Sequence, residues 1–185
     1  MMSTDTVIAQ TKKWILDVVI GCNFCPFAAK EVRRDSIAYE VATDGQPKLV
    51  LQKLLAAFEK MKDATSIETF LLILPTGFGS FASYLKLLQA ANGLLRKKGY
   101  EGVYQLASFH PDYLFAGSRP NDPANYTNRS PYPVIQILRE SSVTRAVESY
   151  PDTLKIPERN MTFATEKGIA FMKDLLENSK KQNRL

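Results

Sequence analysis

Histidine is almost absent from this chain: one residue in 185, at position 110, beside two cysteines and a single tryptophan. A structural zinc centre takes four ligands, and Cys22, Cys25 and His110 fall short of that set, so no metal is expected. Long hydrophobic runs are missing too. The longest, such as Phe70 to Leu74, has about five residues where a membrane span needs about twenty. Lys12 and Lys13 interrupt the one stretch that could serve as a secretory leader, which makes the cytoplasm the expected location. No dinucleotide fingerprint or complete phosphate loop occurs, so no cofactor is expected either.

What is present suits one domain over residues 1–185: 45% of the residues are hydrophobic and 23% charged, ordinary for a globular protein. The net charge of +5 does not point to nucleic acid. Arg96, Lys97 and Lys98 sit where a helix ends, a position its dipole favours for cations, and Lys180, Lys181 and Arg184 belong to a tail (179–185) expected to fray. These six charges already exceed the whole excess.

Strand and helix patterns alternate. A first helix capped by Thr4 or Asp5 runs to Gly21, and a short second one opens at Pro26 with Cys25 as its cap. Strands are expected at 37–42, 69–74, 102–109 and 134–138, and helices at 48–62, 81–98, 142–149 and 157–178. The fold class is therefore α/β: about four strands in a mixed sheet packed with helices, with a long polar loop after the third strand.

That loop, from His110 to Pro133, carries no helical or strand periodicity. Loops of this length in compact domains are usually functional or disordered. Tyr113, Phe115, Tyr126 and Tyr132 give it something to bury, which favours function. His110 follows an apolar strand, at the edge where open α/β sheets bind ligands, and suits proton transfer near neutral pH. Asp112 could orient its ring or form a turn. Asn125, Tyr126 and Asn128 offer directional donors and acceptors, and Arg129 can grip a carboxylate or phosphate. Arg139 and Glu140 end the last strand, sharing the edge of His110 only if the two strands are parallel.

Cys22 and Cys25 form a Cys-x-x-Cys. The redox reading needs a helix N-terminus at the first cysteine, yet Cys22 follows a helix end. Cys25 alone, beside free amides, could be a thiolate nucleophile; as a free cysteine it could equally be a buried apolar residue. Between Pro75 and Ser80 two glycines could cradle an anion or merely permit a turn.

Val19-Ile20-Gly21, Asn23-Phe24-Cys25-Pro26-Phe27-Ala28, Ala107 to Tyr113, Phe115-Ala116-Gly117, Asn121 to Pro133 and Leu138-Arg139-Glu140 together resemble an uncharacterised bacterial family, domain of unknown function 1415. The resemblance extends to Glu158-Arg159-Asn160, adding Arg159 and Asn160 to the candidate ligand-binding residues. Cys25 matches the family pattern; Cys22 falls where the family commonly shows an apolar residue. The resemblance implies no activity.

The leading expectation is an enzyme of hydrolysis or group transfer acting on a small anionic molecule. His110 would be the acid or base with Asp112 orienting its ring, Cys25 a nucleophile, and Asn125, Tyr126, Asn128, Arg129, Arg139, Glu140, Arg159 and Asn160 would hold substrate. The rival is a non-catalytic module that binds a ligand or protein through the 110–133 loop. A third reading makes the loop architectural, its polar groups satisfying one another.

Overall fold

The computed structural model describes residues 2–150 and 152–181. Its four strands, β1 (Ile37–Val41), β2 (Thr69–Ile73), β3 (Tyr104–Phe109) and β4 (Val134–Arg139), form one sheet in the order β1-β2-β4-β3. β1 and β2 are parallel, and β4 is antiparallel to both neighbours, so the sheet is mixed. Around it stand α1 (Thr4–Trp14), α2 (Ala28–Arg33), α3 (Pro47–Asp63), α4 (Phe81–Lys97), α5 (Glu140–Ser149) and α6 (Ile156–Ser179).

Side-chain alternation along the strands builds two cores. Phe70, Leu72, Tyr104, Ile135 and Ile137 meet Leu54, Phe58 and Met61 of α3 and Tyr84 and Leu87 of α4. On the other face Val41, Leu71, Ile73 and Val134 meet Val7, Trp14 and Val18 near the N-terminus and Ala164, Met172 and Leu176 of α6. Every residue of β2 is buried, which is why its sequence shows an unbroken apolar run instead of alternation. The result is three layers, helices on both faces of the sheet. Among the described residues no helix is long and apolar enough to cross a membrane.

Local departures from the sequence reading have local causes. The first helix is capped by Ser3, whose hydroxyl accepts from Thr6 N, and beyond Trp14 it loosens into a π-helical stretch, Ile15–Ile20. The helix expected to open at Pro26 starts at Ala28 with Phe27 as its N-cap, because Asn23 in a left-handed conformation (φ 54) first turns the chain. Cys25 is therefore not a helix cap. The 110–133 segment contains a 3-10 turn, Pro123–Thr127, capped by the Asp122 carboxylate on Ala124 N (2.9 Å). Gly168 (φ 80, ψ 163) breaks α6. Of the tail expected to fray, Ser179 is still helical, and residues 182–185, Arg184 among them, lie outside the described residues.

The segment between Pro75 and Ser80 serves contact between two loops. Gly77 (φ +87) lies so close to Gly45 that a Cβ on it would stand 2.4 Å from the Gly45 carbonyl oxygen. The glycines here permit close approach of backbones.

Candidate functional site

The polar groups of the 110–133 segment are spent on one another and on the surrounding backbone. Asn125, wholly buried, accepts at Oδ1 from Phe115 N (3.0 Å) and the Ser118 hydroxyl (2.8 Å), while its Nδ2 donates to Arg119 O (2.9 Å). Asn128 donates to Ser108 O (3.4 Å), and its own carbonyl accepts from His110 N (3.3 Å). Arg129 donates to Tyr113 O (3.2 Å) and Pro120 O (3.0 Å), with its guanidinium 4.4 Å from the centre of the buried Tyr126 ring. Its carbonyl receives the Trp14 indole N–H (3.0 Å), tying the segment to α1. Among the described residues no buried side-chain nitrogen or oxygen lacks a partner.

His110 is held in the same way. Asp112 N donates to Nδ1 (2.9 Å), which fixes the proton on Nε2, and Nε2–H donates to Phe78 O (2.9 Å). The ring is 0% exposed and sits 5.2 Å from both Phe81 and Tyr84 of α4. Burial lowers its pKa, against the opposing pull of the Phe78 bond and the Asp112 charge. Both nitrogens are occupied. The Asp112 carboxylate itself lies on an exposed residue.

The other candidates are dispersed. β3 and β4 are antiparallel, pairing Phe109 with Val134 and Tyr104 with Arg139, so Arg139 and Glu140 stand at the opposite edge from His110. Arg139 donates to the carbonyls of Met61, Ala64 (3.1 Å) and Ile67 (2.8 Å), closing the end of α3, where a cation complements the helix dipole. Glu140 opens α5, its amide on Val103 O (2.9 Å). Arg159 donates to Asn23 O, to Tyr150 Oη (3.4 Å) and to Asn160 Oδ1 (3.1 Å); the amide of Asn160 donates to Phe24 O (2.7 Å). This pair on α6 clamps the loop that carries Cys25.

Cys25 does face a cavity, on the side of the sheet opposite His110. The N-terminal helices and α6 cover only part of that face. Beyond them the sheet is left open over a space of about 640 Å³, roofed by α2 and α5. Its floor is one row of register partners, Ile37, Thr69, Leu138 and Gln105, and the adjoining Leu71, Gln136, Ala107 and Phe109. Trp14, Ile15 and Val19 wall one end, Phe27 and Ala28 belong to the α2 side, and Val143 and Ala146 come from α5. The two roof pieces meet where Tyr150 packs edge-on to Phe27, ring centres 5.7 Å apart.

The lining is mainly apolar with a polar seam. Gln136 Nε2 donates to the Thr69 hydroxyl (2.9 Å), which donates to Ile137 O (2.9 Å). Burial pushes the Cys25 thiol up, partly offset by the amides of Phe27 and Ala28 and reinforced by Glu31. Burial raises Cys22 as well, partly offset by Lys167. Both cysteines are free thiols. With the one histidine on the far face, no imidazole activates Cys25. Among the described residues no three His, Cys, Asp or Glu side chains gather as a metal site.

The model of a family described as a protein of unknown function (DUF1415) matches residues 6–174. The chain belongs to that family. No curated protein and no solved structure matches. The span shared with DUF1415 takes in both the hydrogen-bonded segment and the cavity. Reading the sequence found the first and missed the second, apart from Cys25 and Arg139. A signal for the cavity existed. Gln136 of the inner strand β4 lies on the same face as Leu71, a placement that buried packing alone would not select, whereas Gln105 is exposed on the edge strand β3 and carries no such signal.

Proposed function

We propose that the protein is a non-catalytic binding protein for a small organic molecule with an apolar body, held between the sheet and the α2–α5 roof. The observation that carries this reading is the cavity itself. A space of about 640 Å³ is in the range of small-molecule sites, which are typically concave, mainly apolar and equipped with a few polar groups that fix orientation. Gln105, Gln136 and Thr69 are the polar groups on its floor.

A hydrolase or transferase built on His110 is the less favoured reading. A general base must reach the proton it takes, and the nitrogens of His110 are engaged by Asp112 N and Phe78 O. The 110–133 segment then serves as architecture that fixes β3, Trp14 and α4 around the sheet.

The test is the fluorescence of a neutral, polarity-sensitive dye such as N-phenyl-1-naphthylamine. The expected result is a saturable rise with the native protein that is abolished in Ala107→Trp, where the indole fills the cavity floor, while the circular dichroism stays native. A non-saturating rise, or one that A107W leaves intact, would refute the reading.

A further inference from the structure

The cavity has an asymmetry of charge at its rim. Lys30 and Arg34, four residues apart on the α2 side, and Arg145 on α5 all line it. Neither the Lys30 nor the Arg34 side chain has a hydrogen-bond or ion-pair partner among the described residues, and the Arg145 side chain makes one hydrogen bond, to the Ser142 hydroxyl (2.9 Å). The two carboxylates of the rim accept from serine hydroxyls and pair with none of these cations. Glu31 accepts from the Ser36 hydroxyl (2.6 Å), and Glu68 accepts from the hydroxyl of Ser142. Arg139 also borders the space, but its guanidinium is committed to the carbonyls at the end of α3.

These groups form a continuous chain from one roof piece to the other. Glu31 is bonded to Ser36, Ser36 O receives Glu68 N (2.9 Å), Glu68 is bonded to Ser142, and Ser142 to Arg145. The chain ends at Glu31 on α2 and at Arg145 on α5, and Arg34, three residues beyond Glu31, lines the same space with its guanidinium outside the chain.

We infer that the ligand is an amphipathic anion, with a carboxylate or phosphate head received by Arg34, Lys30 and Arg145 and an apolar body lying on Leu71, Ala107 and Leu138. The inference rests on the cavity being the binding site. Arginine donates in the fork geometry that carboxylate and phosphate oxygens accept, and two arginines from separate roof pieces would let one head bridge α2 to α5.

The experiment displaces the bound neutral dye with a series sharing one ten-carbon chain: decanoate, decyl phosphate, decanol and decyltrimethylammonium. Decanoate or decyl phosphate is expected to compete about tenfold more tightly than decanol, a preference that shrinks as salt is raised. Arg34→Ala and Arg145→Ala are each expected to weaken the anions by roughly three- to tenfold and leave decanol unchanged, the discount reflecting exposure of both side chains. Unaltered decanol binding also shows that these variants are folded. Equal competition by anion and alcohol, or a preference for the ammonium, overturns the anion subsite while leaving the cavity as the binding site. Displacement by none of the four overturns the amphipathic-anion ligand, while the cavity reading still stands or falls on the dye and Ala107→Trp.

Discussion

The imidazole of His110 donates from Nε2 to the carbonyl oxygen of Phe78 at 2.9 Å, joining the end of β3 to the turn that precedes α4. The bond requires a proton on Nε2 and, because Asp112 N occupies Nδ1, none on Nδ1. Protonation therefore breaks a contact instead of making one. Burial already holds the folded pKa below its ordinary value of 6.5. The unfolded chain takes up its proton first as pH falls, so the stabilisation is complete above about pH 6.5 and is lost as pH falls through the folded value. The melting temperature is expected to drop between pH 7.5 and pH 5.5, and to drop less in His110→Gln. Parallel curves for the two proteins would show that His110 carries none of the pH dependence.

Gly77 and Gly79 sit in the same turn with opposite demands. An added Cβ at Gly77 would meet Gly45 backbone at 2.4 Å in a left-handed conformation, whereas at Gly79 nothing lies within 4 Å and φ is not positive. Gly77→Ala is expected to cost roughly 1–3 kcal/mol, and Gly79→Ala to change stability by no more than about 0.5 kcal/mol. Urea denaturation of both variants measures the contrast, and equal stabilities would mean that the two loops do not touch.

The carboxamide of Asn160 is what anchors the Cys25 loop from within. Its Nδ2 donates to Phe24 O at 2.7 Å, and both residues are buried. Asn160→Ala strands that carbonyl, at a cost of about 1–3 kcal/mol. Arg159→Ala should cost less, since its guanidinium is half-exposed and water can replace it. Amide hydrogen exchange is the discriminating readout. Protection should fall across residues 22–28 in Asn160→Ala and stay unchanged in α3, whereas uniform loss over the whole chain would deny the local clamp.

Much of the architecture was legible because burial writes itself into short patterns. β2 is apolar throughout because both faces are covered, and β4 could be told from a helix by the prolines at 131 and 133. The π-helical stretch was not legible, since over six residues its period hardly differs from that of an α-helix. Pro26 signals a helix start, yet Asn23 turns the chain first and the helix waits until Ala28.

The candidate site divides the same way. The sequence marked the 110–133 segment as dense in hydrogen-bonding groups, but it could not show that the partners are backbone carbonyls such as those of Tyr113, Arg119 and Pro120. The cavity left almost no mark. It arises where α1 and α6 stop covering the sheet, and its rim draws Arg34, Glu68 and Arg145 from segments far apart in the chain.

The strand order also governs when this protein can fold as it is made. β4 lies between β2 and β3, although it is the last strand to be synthesised. Until residue 139 has left the ribosome, β3 has no neighbour to pair with, and the apolar faces of two finished crossovers wait for Ile135 and Ile137. A nascent chain paused before β4 would hold β1 and β2 as a two-stranded pair with β3 apart from them. Synthesis thus leaves a strand-shaped gap that one late segment, Val134–Arg139, closes.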